Sequence, residues 1–128
     1  MQIDKKLKKT LLLVVVAIII LGLGYWWWTA NNQPGQHDVL AKCLKEKGAK
    51  FYGAFWCPHC QNQKTSFGTS ARHLPYIECS TVDGNGQLPA CKQANVQAYP
   101  TWEFPDGSRH EGELTMQELA DKTGCPVQ

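Results

Sequence analysis

The 128-residue chain has no charged side chain between Lys9 and Asp38. The part that follows has no excess of charge either. From Asn31 onward nine basic side chains stand against ten acidic ones, and the overall +2 comes from Lys5, Lys6, Lys8 and Lys9 against Asp4. A basic face able to grip a phosphate backbone is missing, so the reading includes no nucleic-acid partner. A second Cys-x-x-Cys is missing too. Cys79 and Cys91 are too far apart to form one, and His37, His73 and His110 are scattered, so the paired-ligand spacing of a zinc site is not there. Gln61, not histidine, follows Cys60, which removes covalent haem attachment. The chain is therefore read without metal or cofactor. It has no internal repeat, and its one biased tract is the charge-free segment near the start.

That segment is the first thing present. Residues 11–28 are 18 uncharged, mostly apolar positions. As a helix they span about 27 Å, close to the hydrocarbon thickness of a bilayer. Four lysines precede it and predict a cytoplasmic N-terminus. Tyr25, Trp26, Trp27 and Trp28 close it, as an aromatic belt does at the far interface. The alternative is a cleaved signal peptide. Its apolar region would be shorter and would end in small residues, whereas here Trp28 precedes Thr29 and Ala30. The division expected is a basic tail at 1–9, a membrane anchor at 10–29, a linker at 30–36 and a folded domain at 37–128. The domain would then face a periplasm, lumen or extracellular space. Six cysteines in so short a chain fit an oxidising compartment.

Within the domain, residues 37–47 predict a helix, with Val39, Leu40, Cys43 and Leu44 on one apolar face. Residues 49–55 read as a buried strand and residues 58–72 as a helix that Gly68 can interrupt. Residues 75–79 (PYIEC) read as a short strand, 81–86 (TVDGNG) as a turn and 88–95 as a short helix. Residues 101–104 and 109–112 read as two strands joined at Pro105-Asp106-Gly107. The last helix starts at Thr115 with Glu118 three residues on, a capping box, and ends at Gly124. Alternating elements followed by a hairpin describe an α/β fold, a mixed sheet flanked by helices.

Cys57 and Cys60 sit where the first strand gives way to the helix. Pro58 suits the first helical position. Free N–H groups at a helix N-terminus favour negative charge, and the thiolate is the nucleophile of disulfide exchange. Cys57 is read as the attacking sulfur, the more exposed of the two. Cys60, one turn further in, is read as the resolving one. His59 between them is read as a donor or partial positive charge beside the Cys57 thiolate. The alternatives are a structural disulfide for the pair and an exposed polar filler for His59.

Trp56-Cys57-Pro58-His59-Cys60, with Tyr99-Pro100-Thr101 downstream, resembles the thioredoxin superfamily. The resemblance implies a cis proline at Pro100 facing the cysteines. It implies a substrate peptide held beside it, with Trp56, Tyr99, Pro100 and Thr101 as its binding residues. Adding residues 52–61 (YGAFWCPHCQ), 75–79 and Trp102, the chain is most similar to the thioredoxin-like domain attached to bacterial homologues of vitamin K epoxide reductase. That resemblance covers about residues 37–125. It implies a domain that oxidises secreted proteins and passes electrons to a quinone-linked membrane enzyme. The chain departs from the family in two ways. It has one membrane helix and no four-helix enzyme, so such an enzyme would be a separate chain. Many thioredoxins also carry a buried acid six positions before the first cysteine, and Phe51 stands there, so proton transfer from Cys60 needs water or another group.

The four remaining cysteines allow three complete pairings. The short loop between Cys79 and Cys91 favours that pair, which leaves Cys43 with Cys125 by elimination. The function expected is a membrane-anchored thiol–disulfide oxidoreductase acting on protein thiols, Pro58-His59 resembling DsbA-type oxidants. The alternatives are a tethered reductant or isomerase of the same fold, or a binding module whose cysteines stay locked.

Overall fold

A computed structural model of the chain describes residues 4–127. The chain divides into two compact units, with the boundary between Gln33 and Pro34. The first unit is one helix, α1 (Lys5–Asn31), with its side chains exposed along its length. It is long and apolar enough to cross a membrane. It runs two residues beyond position 29, into the expected linker, because Ala30 and Asn31 can continue the helix before Pro34 stops it.

The second unit holds α2 (Asp38–Glu46), β1 (Lys50–Gly53), α3 (Pro58–Phe67), a 3-10 turn (Gly68–His73), β2 (Tyr76–Glu78), α4 (Pro89–Gln93), β3 (Thr101–Glu103), β4 (Arg109–Glu111) and α5 (Met116–Thr123). The strands form one sheet in the order β2-β1-β3-β4. β1 pairs parallel with β2, while β3 pairs antiparallel with β1 and with β4. This is the mixed α/β sheet with flanking helices that the alternation implies.

Alternation along β1 builds a core on each face. Phe51 lies in the larger one, with Leu40, Ala41 and Leu44 of α2, Phe67 of α3, Trp102 of β3 and Leu119 of α5. Its ring stacks on Trp102, its cross-strand partner, at 4.6 Å between centroids. Tyr52 lies in the smaller core, with Cys79, Cys91 and Val96. Trp102 is fully buried.

Two sequence expectations change here. Val39 is half exposed and leaves the α2 face, which is centred on Leu40, Ala41 and Leu44. Asp38 is turned inward instead, with Arg72 and His73 each 3.5 Å from its carboxylate. The first strand ends at Gly53, not Phe55. Ala54 to Cys57 is a tight turn, closed by Cys57 N–H donating to Ala54 O at 3.0 Å, and it carries Phe55 to the surface. Gly68 does interrupt the following helix. It adopts φ +55°, and the chain continues as a 3-10 turn.

The capping box of α5 is formed in full. Thr115 Oγ1 accepts from Glu118 N–H, and Glu118 accepts from Thr115 N–H at 2.8 Å. The loop before it is tied to α3 by one buried side chain, Gln63. Its Oε1 accepts from Leu114 N–H at 2.8 Å and from Trp102 Nε1 at 3.3 Å, and its Nε2 donates to Leu114 O at 3.0 Å. Gln63→Leu keeps the bulk and leaves two buried donors and one buried acceptor unpaired. It should lower unfolding stability by about 3 kcal/mol. A urea titration reads this, and a midpoint equal to wild type would refute it.

Candidate active site

The first turn of α3 carries the two thiols. Cys57 is the N-cap, Pro58 the first helical residue and Cys60 the third, as the helix start predicts. They are the two unpaired cysteines of the six. The other four form Cys43–Cys125, which joins α2 to the segment after α5, and Cys79–Cys91, which joins the end of β2 to α4. Both thiols are buried, Cys57 at 5% exposure and Cys60 at 0%. Cys57 is the more exposed of the two only by this margin. The peptide opposite narrows access, and Cys57 Sγ lies 3.6 Å from Tyr99 O.

That opposite segment is the Tyr99–Pro100 peptide, which is cis. Pro100 is fully buried and its carbonyl accepts from Gly112 N–H at 2.8 Å. Tyr99 is half-buried, its hydroxyl bonded to Gln87 Nε2 at 2.8 Å. Trp56 is half exposed. Its ring meets Tyr99 edge-on at 6.1 Å, and its Nε1 donates to Ser80 Oγ at 2.8 Å. Trp56, Tyr99 and Pro100 thus border Cys57. Thr101 does not join them as a binding side chain. It is 2% exposed, its hydroxyl donates to Ala98 O at 2.7 Å, and its backbone pairs with β1 and β4. The same strand period that buries Trp102 on one face buries Thr101 on the other.

His59 is largely exposed and its Nδ1 lies 2.7 Å from Glu113 Oε1. Glu113, in the loop between β4 and α5, also accepts from Asn62. No spacing in the chain points to Glu113, because it reaches the site only through the loop that Gln63 pins.

Cys60 is packed from below by residues that sequence reasoning left unassigned. A Cβ on Gly53 would lie 2.9 Å from Cys60 Sγ and 2.7 Å from Tyr76 Cε2, so only glycine leaves room for both. Glycine inside an apolar strand was the available signal. Burial pushes the Cys60 thiol up to about 12, its hydrogen bond to Cys57 adding to the rise while an Ala54 backbone hydrogen bond and the Lys64 charge oppose it. Burial also pushes the Tyr76 phenol up, helped by its hydrogen bond to Glu78. The site thus pairs a thiol at the mouth, bordered by a cis proline, with a buried thiol held neutral. That is an arrangement for exchanging a disulfide in two steps.

A family model described as Thioredoxin matches residues 38–123. The chain belongs to the thioredoxin family. Its thioredoxin domain is similar to part of the thiol-disulfide oxidoreductase LTO1 of Arabidopsis thaliana, 45% identical over 90 residues, which cover 67% of this chain and 24% of that protein. It is also similar to part of the protein disulfide-isomerase erp38 of Neurospora crassa, 30% identical over 100 residues, 68% of this chain and 27% of that protein. The chain spans about a quarter of the length of these curated relatives.

The raised Cys60 value carries a stability prediction for the thioredoxin domain. The folded state holds this proton more tightly than the unfolded state does. The contribution is therefore present below about pH 9 and is lost as pH rises toward about 12. Oxidised protein has no Cys60 proton to lose, and the part of the Tyr76 shift that comes from the thiolate charges is absent from it as well. Denaturant titrations of the reduced and oxidised forms should show the reduced form losing ground as pH rises above about 9. A constant difference between the two forms across that range would contradict the assignment.

Proposed function

We propose that this chain is a membrane-anchored thiol–disulfide oxidoreductase whose active site is Cys57-Pro58-His59-Cys60. One observation carries the reading: two unpaired thiols share the first turn of a helix facing a cis proline, while every other cysteine is in a disulfide. A thioredoxin-family site with a free pair, in a domain that keeps two structural disulfides, is suited to an oxidising compartment. The name of the Arabidopsis relative, a thiol-disulfide oxidoreductase, supports the same chemistry.

In the proposed cycle the pair starts as a disulfide. A client thiolate attacks Cys57 Sγ, forming a client–Cys57 disulfide and expelling Cys60 as a thiolate. A second client thiolate then attacks the client sulfur of that bond and expels Cys57. The client gains a disulfide and gives up two electrons and two protons, and the pair ends as a dithiol. Cys57 leaves from the N-cap of α3, where the free backbone N–H groups of a helix start favour negative charge. Trp56, Tyr99 and Pro100 supply apolar surface beside the exchanging sulfur.

Reoxidation requires an electron acceptor, and we assign it to a quinone-linked membrane enzyme like vitamin K epoxide reductase. The resemblance of residues 37–125 to the domain attached to such enzymes motivates this. Anchoring by α1 would raise the effective concentration of the domain beside that partner. The N-terminus is assigned to the cytoplasm on the lysines that precede α1. A second reading, an isomerase of the same site, is favoured by the name of the Neurospora relative, a protein disulfide-isomerase.

Cys60→Ser should accumulate mixed disulfides between Cys57 and protein clients, formed when the Cys57 thiolate attacks a client disulfide and expels one client sulfur, because no Cys60 thiol is left to displace the client from Cys57. Cys57→Ser should accumulate none. Non-reducing electrophoresis after acid quenching reads both, and trapping by Cys57→Ser would reverse the roles.

A further inference from the structure

The surroundings of Cys60 carry a charge that the exchange cycle leaves unused. Its sulfur packs beside the edge of the Tyr76 ring, across the space that Gly53 leaves open. Tyr76 is oriented by Glu78, whose Oε2 accepts the phenolic hydrogen at 2.8 Å. The other Glu78 oxygen is held by Phe55 N–H at 3.2 Å and Ser80 N–H at 2.9 Å. Over the ring sits the ammonium of Lys64, 3.3 Å from the centroid. Lys64 follows Cys60 by four residues on α3, so the two share a helix face. An aromatic face holds an ammonium that a flexible stem would otherwise carry out to water. The titratable groups acting on Cys60 and on the ring against it are Cys57 and Lys64 from α3 and its start, and Tyr76 and Glu78 from β2. Lys64 is the cation among them. Phe51, buried and stacked on Trp102, brings no charge from β1.

We propose, on the basis of the exchange reaction above, that Lys64 held over Tyr76 is a positioning residue that stabilises the Cys60 thiolate whenever the Cys57–Cys60 bond breaks or forms. When a client thiolate attacks Cys57 Sγ, the client–Cys57 bond forms and the Cys57–Cys60 bond breaks. Its electron pair leaves on Cys60 Sγ, which then takes a proton from solvent. In the reverse direction Cys60 gives its proton to solvent, attacks Cys57 Sγ and expels the client thiolate. Both directions place negative charge on a buried sulfur, and burial opposes that charge. A neighbouring cation lowers the cost, and a thiol of lower pKa leaves faster.

The test uses the full chain in detergent, with glutathione attached to Cys57 as a mixed disulfide. Release of glutathione by Cys60 is followed from about pH 6 to pH 10, across the foot of the thiol titration. Lys64→Gln and Lys64→Met should release about fivefold more slowly at neutral pH, with the rising limb of the profile displaced to higher pH. Lys64→Arg should stay near wild type. Lys122→Gln, which removes a lysine standing 5.3 Å over the Phe104 ring, should change nothing. Wild-type rates and profiles in both Lys64→Gln and Lys64→Met would overturn the proposal. An equal slowing in Lys64→Arg would also overturn it, by assigning the effect to packing. Failure to form the Cys57 adduct, read by mass spectrometry before any rate is taken, would overturn the exchange reading itself and the Lys64 role with it.

Discussion

The antiparallel register of β1 on β3 is the constraint on which the site depends. Phe51 pairs with Trp102 and Tyr52 with Thr101, so the end of β1 lies beside the start of β3. The chain leaves β1 into the turn that delivers Cys57, and it enters β3 from Pro100. A thiol at a helix start and a cis proline are thereby brought face to face from positions more than forty residues apart. The stacked Phe51 and Trp102 rings hold that register from the buried face. A slip by one residue would put the two rings on opposite faces of the sheet and shift Pro100 relative to Cys57.

The same core explains the electrostatics of the site. With an aromatic ring at position 51, no carboxylate lies beneath Cys60 from β1, and the thiol is buried against glycine and tyrosine. Desolvation then dominates, and Cys60 is held neutral. The Lys64 charge opposes this from the same helix, its ammonium held over the Tyr76 ring. The two sulfurs therefore differ by position, one at the rim against a peptide carbonyl and one under the helix. That difference is what an ordered two-step exchange requires.

Local chemistry made much of this legible in the amino-acid sequence. Thr115 and Glu118 announce a helix start, because a capping box is a contact between neighbours. Pro105, Asp106 and Gly107 announce a hairpin, and the C-x-x-C after an apolar run announces a helix-start dithiol. Long-range packing was not legible. Val39 is as apolar as Leu40, and only the partner elements decide that Asp38 turns inward in its place. Phe55 extends an apolar run, yet the turn at Ala54 expels it. Thr101 sits in a motif associated with binding, yet two-sided pairing commits it to the sheet. Gln63 carries no motif, Tyr76 enters only as part of a short strand, and their roles come from residues that only the fold brings near.

The proposed oxidising cycle requires a Cys57–Cys60 pair tuned toward accepting electrons. A dithiol form that is stabilised relative to the disulfide makes the disulfide a stronger oxidant. Equilibrating the Cys57–Cys60 pair against a glutathione buffer measures this balance directly. The account predicts a potential well above the thioredoxin end, toward about −120 to −200 mV. A value near about −270 mV would contradict it and turn the proposed electron flow around.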